Sequence, residues 1–366
     1  MDIKPLVKEM IEKNASDLHL RSNSPSVMRV DGNLVIMDKT LTLEQMAELA
    51  QNLMNPEQQN TFKMRHEVDL AYTFDNMGRF RINIFKQRGL INMALRIIPV
   101  KIPVIAELKL PKVISQIADN HRGLVLVTGT TGCGKSSTLA SIIHHINMNR
   151  QDNIITIEDP IEFMHKDIKS IVSQRELGFD TLTYIDALKN VVRQDPDVIL
   201  LGEMRDLETV ATAITAAQTG HLVLSTIHTV NAAQTINRIV DLFPPHQQAQ
   251  TRILLADTLK AIVSQRLLPH ASGVGRVPAV EVLVVTPLVK KMIEENNLSE
   301  VVNLMKLGQF YGMQTFNQAL IKLFQSGEIK LEDALNAASN PEELMLAIRG
   351  IQTSTEDAQH SSFFEK

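Results

Sequence analysis

Eight consecutive residues, Gly129-Thr130-Thr131-Gly132-Cys133-Gly134-Lys135-Ser136, have the spacing G-x-x-x-x-G-K-S. Glycines at these positions let the backbone wrap closely, so that successive N–H groups and the start of the next helix converge on phosphate. Lys135 is suited to reach terminal phosphates and Ser136 to ligate Mg²⁺, with Ser137 completing the set. The expected chemistry is binding of ATP with Mg²⁺. Cys133, the single cysteine of the chain, reads as a small residue whose N–H matters. A redox role is disfavoured because no resolving cysteine exists.

Carboxylates form the second group. IITIEDPIEF, residues 154–163, breaks an apolar run with Glu158, Asp159 and Glu162. DVILLGE, residues 197–203, ends in Gly202-Glu203, where comparable strands usually carry Asp. With that Asp missing, the magnesium-side role falls to Glu203, acting through a coordinated water. Glu162 is then the residue to orient or deprotonate the attacking water, while Glu158 and Asp159 shape the site. HLVLSTIHT, residues 221–229, brings His228 to the end of another apolar run. His228 reads as a sensor of the terminal phosphate or the attacking water. His221 lies at the other end of that run and has a less determined role, a neighbouring subunit being one group it would face.

These residues need a scaffold that gathers them. GLVLVTG, DNIITIE, DVILLGE and HLVLSTI are short and nearly continuously apolar, each followed by a helix-like segment. That pattern predicts a mostly parallel sheet covered on both faces. Ligands bind at the carboxyl ends of such strands, which sets His228 near Glu203 and Glu158. Residues from about 287 onward read as helical.

Residues 1–98 mix helix and strand. Leu6, Val7, Met10 and Ile11 make one helical face; Leu43, Met46, Ala47, Leu49 and Leu53 make another. SVMRVDGNLVIM reads as a hairpin with Asp31-Gly32 or Gly32-Asn33 in the turn. GRFRINIF and LINMALRII alternate apolar and polar residues. A symmetric closure pairs Phe80 with Ile97, Ile82 with Leu95 and Ile84 with Met93. It also sets Arg81 opposite Arg96, an unfavourable like-charge pair. Two readings stay open: solvated arginines splayed apart, or an anion held between them. Pro99 and Pro103 mark a linker, 99–106. The polar tail, 351–366, is expected to be disordered.

A chain of 366 residues exceeds one ordinary core, so two domains are expected. A net charge of -4, no Trp and three Tyr argue against general nucleic-acid binding and base stacking. The single cysteine excludes an intrachain disulfide framework. The longest apolar run, VPAVEVLVVTPLV, contains Glu281 and two prolines, and no run reaches membrane-spanning length. A cytoplasmic protein that reaches a membrane only through a partner is expected.

ASDLHL, GRFRINIF, GTTGCGKSS, TIEDPIEF, RQDPDVILLGEMRD, TGHLVLSTIHT and GMQTF together resemble the secretion ATPase superfamily, and within it the retraction ATPases of type IV pili. The resemblance implies a PAS-like α+β domain (1–98), the linker, and a RecA-like P-loop ATPase domain of α/β class (107–350), assembled as a homo-hexamer. It implies an ATP-hydrolysing motor at the cytoplasmic face of the inner membrane, driving pilus retraction, depolymerisation and twitching motility. Its partners would be the inner-membrane platform protein, the pilus machinery and paralogous retraction or assembly ATPases. The acidic box matches Glu158, Asp159 and Glu162. The histidine box matches His221 and His228 and thereby counts His221 with the nucleotide site. Arg81 and Arg96 match arginines implicated at a nucleotide site shared between subunits. Thr130 and Cys133 replace the usual Pro and Ser, and the four-cysteine zinc motif common in assembly ATPases is missing. The retraction motif Ala-Ile-Arg-Asn-Leu-Ile is replaced by Leu288-Val289-Lys290-Lys291-Met292-Ile293, which leaves open the choice between the main motor and its accessory paralogue. Two other classes remain: a RecA-like nucleic-acid translocase and a nucleotide-dependent ring with negligible turnover.

Overall fold

The computed structural model describes residues 2–30, 32–75, 77–98 and 101–349. The expectations placed on Asp31, on Pro99 and on the tail 351–366 lie outside them. The chain divides into two compact units. The first runs to Lys101 and counts Glu162–Met164 with it; the second begins at Ile102. The division falls inside the stretch read as a linker.

The first unit contains α1 (Lys4–Glu12), β1 (Asp17–Arg21), β2 (Pro25–Val30), β3 (Asn33–Thr40), α2 (Leu43–Leu53), α3 (Pro56–Arg65), β4 (Glu67–Phe74), β5 (Gly78–Gln87) and β6 (Leu90–Ile98). Its antiparallel sheet has the order β3-β2-β1-β6-β5-β4. Phe80, Ile82 and Ile84 are buried in one core with Met93 and Leu95. The register is the expected one: Phe80↔Ile97, Ile82↔Leu95, Ile84↔Met93 and Arg81↔Arg96. It is fixed by a tight turn in which Arg88 and Gly89 take φ 52° and 80° between paired Gln87 and Leu90. The helical faces differ in detail from the apolar pattern. Leu6, Val7 and Met10 are buried but Ile11 is exposed; in α2, Ala50 is buried while Leu43 and Ala47 face solvent. A three-residue slip of this kind keeps the same helical stripe.

The second unit contains, in order, α4 (Val113–Ala118), β7 (Gly123–Gly129), α5 (Lys135–Asn149), β8 (Asn153–Glu158), β9 (Ile171–Glu176), α6 (Tyr184–Val191), β10 (Val198–Leu201), α7 (Leu207–Gln218), β11 (Leu222–Ile227), α8 (Ala232–Asp241), α9 (Pro245–Thr258), β12 (Leu259–Pro269) and β13 (Arg276–Val284). Helices α10 (Pro287–Glu294), α11 (Leu298–Leu307), α12 (Phe316–Gln325), α13 (Leu331–Ala337) and α14 (Pro341–Ile348) follow. The sheet order is β13-β12-β7-β11-β10-β8-β9. All neighbouring pairs are parallel except β12–β13. Every residue of β7, β10 and β11 is buried. Val223 and Ile227 join the core on one face of the sheet, and Leu222 and Leu224 the core on the other, which is why these strands read as unbroken apolar runs. One expectation is corrected: β8 is followed by an irregular segment and the edge strand β9, not by a helix. Among the described residues no helix is long and apolar enough to cross a membrane.

Glu281 on β13 is, with Glu176, one of the buried carboxyls described in this unit. The Glu281 Oε1 accepts the Ala232 N–H, the first of α8, at 2.8 Å. Burial raises its pKa from the ordinary 4.5 to about 7, against the opposing pull of the Ala232 N–H, of Arg266 and of the Phe316 backbone. The folded chain therefore holds this proton where the unfolded chain has lost it. The associated stability is full below about pH 4.5 and is lost as pH rises through about 7. A rise of that size corresponds to on the order of 3 kcal/mol. Urea unfolding between pH 4.5 and 8 should thus show wild type losing stability relative to Glu281→Gln. Parallel pH profiles for the two proteins would remove the assignment.

Candidate active site

The loop after β7 is shaped for close backbone approach. Gly129, Gly132 and Gly134 take φ 140°, 78° and 96°, conformations that side-chain-bearing residues rarely adopt. A Cβ on Gly129 would stand 2.5 Å from both Cys133 Sγ and Gln265 O, so loop and neighbouring strand leave room for glycine alone. Helix α5 starts directly at Lys135, with Gly134 at its N-cap and no side-chain cap. Its first N–H groups, with the positive end of the helix dipole, remain for an anion. Lys135 Nζ donates to Gly129 O and Thr130 O, each at 3.0 Å, which holds the ammonium over the loop. Ser136 and Ser137 lie half-buried in the first turn, while Thr130 and Thr131 are exposed. Cys133 is buried. Burial pushes its thiol pKa up despite the nearby Lys135 charge and backbone N–H groups, as expected for a packing residue and not for a reactive thiolate.

At the ends of β10 and β11 the structure joins Glu203 and His228. Glu203 Oε1 lies 3.5 Å from His228 Nε2, and its Oε2 accepts from Arg205 at 2.7 Å. Burial alone would raise the Glu203 pKa. The Arg205 hydrogen bond and the charges of His228, Arg205 and Lys135 outweigh that, so the net shift is downward and the carboxylate is held ionised. Arg205 was not singled out by sequence reasoning, although it stands two residues beyond Glu203 in GEMRD.

Gly202 has a steric reason. A Cβ there would stand 2.8 Å from the Tyr184 hydroxyl oxygen, 3.3 Å from Ile157 O and 3.4 Å from Glu158 Cα. A side chain where comparable strands carry Asp would have to push the Tyr184 hydroxyl aside and crowd the β8 backbone. Tyr184, the first residue of α6, also escaped sequence reasoning. Its pKa is raised by burial first, then by the negative charges of Asp159, Glu203 and Glu158, with Arg205 opposing. The phenol therefore sits, protonated, among the acids.

Glu158 closes β8. Its Oε1 accepts from Thr156 Oγ1 at 2.6 Å and Gln174 Nε2 at 3.1 Å. Asp159 is exposed at the strand tip, and Glu162 is exposed beyond it and counts with the first unit. His221 is not brought to the phosphate loop. It precedes β11, at the end opposite His228, where its Nδ1 donates to Ala216 O at 2.9 Å. In the first unit, Arg81 and Arg96 lie opposite each other, and each has an acid of its own. Arg96 Nε meets Asp17 Oδ1 at 2.7 Å, and Arg81 Nε meets Asp69 Oδ1 at 3.7 Å. These aspartates relieve the like-charge repulsion. The donor set suits Mg²⁺: a hydroxyl at the head of α5 and a carboxylate held ionised fit a hard cation that keeps part of its water shell.

The model of the type II/IV secretion system protein family matches residues 1–336. The type IV pilus ATPase PilU of Pseudomonas aeruginosa is 43% identical over 363 residues, covering 99% of this chain and 94% of its own length. The type IV pilus retraction ATPase PilT of the same organism is 41% identical over 343 residues, covering 93% of this chain and 99% of its own. A crystal structure of the pilus retraction motor PilT with bound ADP superposes with a TM-score of 0.89 at 46% identity, covering 94% of this chain and 99% of that one.

The Gly202–Tyr184 contact yields a double-mutant test. Gly202→Ala should cost about 1–3 kcal/mol in urea unfolding, as overpacking does, and less in a Tyr184→Phe background that lacks the colliding oxygen. An equal cost in both backgrounds would show that the hydroxyl is not what excludes a side chain at 202.

Proposed function

Because the chain belongs to the type II/IV secretion system protein family and carries an ATPase phosphate loop, we propose that it is the ATP-hydrolysing motor that retracts and depolymerises type IV pili, working as a ring of six copies. The observation that carries this reading is that its likeness to a pilus retraction ATPase spans both units and nearly the full length of both chains.

The N–H groups of residues 129–136 bind the phosphates of ATP, and Lys135 exchanges two backbone carbonyls for terminal phosphate oxygens. Mg²⁺, held by Ser136 and through water by Glu203, would neutralise charge on the phosphates. Arg205 and His228 keep Glu203 ionised and aimed, and His228 reports the phosphate state. Glu162 orients or deprotonates the attacking water, while Glu158 and Asp159 shape the acidic wall beside it. Arg81 and Arg96 meet charge developing on the nucleotide of a neighbouring copy, exchanging Asp69 and Asp17 for phosphate. Hydrolysis changes the angle between domains at the linker, and the ring passes that motion to the platform protein at the inner membrane.

The accessory-paralogue reading has its own support. The likeness to PilU extends over 363 residues of this chain, further than that to PilT. The segment replacing the retraction motif is also distinct. In α10, Val289, Met292 and Ile293 are buried, Leu288 is exposed, and Lys290 pairs with Asp257 of α9. Deleting the gene and scoring pili and twitching tests both readings. Excess pili with loss of twitching is expected of the main motor. Normal pilus number with weakened twitching would move the assignment to the accessory role, and bald cells would contradict retraction altogether.

A further inference from the structure

Between β8 and β9 the chain runs through residues 159–170 in neither helix nor strand, so its backbone N–H groups depend on partners outside a ladder. Two of them end on side chains of β9. The Ile161 N–H donates to Glu176 Oε2 at 3.4 Å, and the His165 N–H donates to Gln174 Oε1 at 2.8 Å. Ile161 and His165 are the residues at which the chain leaves the second unit and rejoins it, with Glu162, Phe163 and Met164 between them. Both roots of the segment that carries Glu162 are therefore fastened from one strand.

Gln174 and Glu176 are two residues apart on β9 and so lie on the same face of it. The parallel register sets them beside Thr156 and Glu158. Gln174 also donates through Nε2 to Glu158 Oε1 at 3.1 Å, an oxygen that Thr156 Oγ1 reaches at 2.6 Å. The amide can face only one way, because the Glu158 carboxylate needs a donor and the His165 N–H needs an acceptor. One side chain thus spans from the strand tip at Glu158 to the point of return at His165. It closes residues 158–165 into a loop that contains Asp159 and Glu162. Methionine would match its length and make neither bond. An ionised glutamate would still accept from His165 but would repel Glu158.

We propose that Gln174 is a positioning residue for ATP hydrolysis: by closing this loop, with Glu176 as a second anchor, it sets where the Glu162 carboxylate can reach. This rests on the reading of Glu162 as the residue that handles the attacking water. A displacement of about 1 Å at a group of that kind costs on the order of 100-fold in rate. Phosphate binding draws on residues 129–136 instead, so loss of the link should appear in kcat and not in KM.

Steady-state ATPase assays and hydrogen exchange on the assembled protein test this with Gln174→Met and Gln174→Glu. Gln174→Met should speed exchange at residues 161–165 several-fold and lower kcat by about tenfold or more, with KM for ATP little changed. Gln174→Glu should lose as much at about pH 8 and regain activity, relative to wild type, as the pH falls to about 6. The two carboxyls then share a proton, and the new O–H donates to Glu158 as the amide does. Gln174→Met should show no such recovery. If Gln174→Met does not fold, the acid recovery of Gln174→Glu decides. Unchanged exchange at 161–165 in Gln174→Met, or faster exchange with wild-type kcat, overturns the positioning role, as does a Gln174→Glu pH profile parallel to wild type. Near-wild-type turnover in Glu162→Gln overturns the reading of Glu162 itself, whatever the exchange at the loop.

Discussion

Negative charge gathered at the carboxyl ends of two adjacent parallel strands is the constraint around which the site is built. Leu201 pairs with Ile157, so Glu203 and the Glu158–Asp159 pair leave the sheet side by side. Like charges this close repel strongly where water is partly excluded. Glu203 and Glu158 each have a remedy of their own. Glu203 has Arg205, His228 and the field of Lys135; Glu158 has a threonine hydroxyl and a glutamine amide. Parallel strand order makes the crowding unavoidable, because β7 to β12 all end on the same side. It also makes the crowding useful, since the phosphate loop opens on that side too.

The same crowding accounts for a glycine where an acid would be expected. Tyr184 fills the space beside Gly202, and a side chain there would collide with the phenol and with the backbone of β8. One strand tip therefore offers one carboxylate, Glu203, and a neutral hydroxyl beside it. This ATPase divides its work accordingly in the proposed mechanism: the carboxylate on β10 attends to the metal's water shell, and the acidic segment after β8 supplies the residue for water.

The parts legible in the sequence are those whose signals are local. The phosphate loop shows itself in eight residues. The β5–β6 register follows from a two-residue turn and strict alternation, down to the Arg81–Arg96 pair. The four apolar runs predict the parallel strands because burial on both faces leaves no polar position. What escaped depends on residues distant in the chain. Asp17 and Asp69, which neutralise the arginine pair, come from two flanking strands. Tyr184 meets Gly202 only through the packing of α6 beneath β8 and β10. Glu281 read as an interruption in an apolar run, because its donor lies 49 residues earlier, at Ala232. Ile11, Leu43 and Ala47 erred locally because an apolar stripe fixes a helix's buried side only to within one turn.

The division of labour between the two acidic segments is tested most directly by the Mg²⁺ dependence of ATP affinity in Glu203→Gln and Glu162→Gln, measured side by side on the assembled protein. Glu203→Gln should lose much of the contribution of Mg²⁺ to affinity. Glu162→Gln should retain it, although neither variant turns ATP over. Mg²⁺ dependence kept in Glu203→Gln and lost in Glu162→Gln would contradict the account.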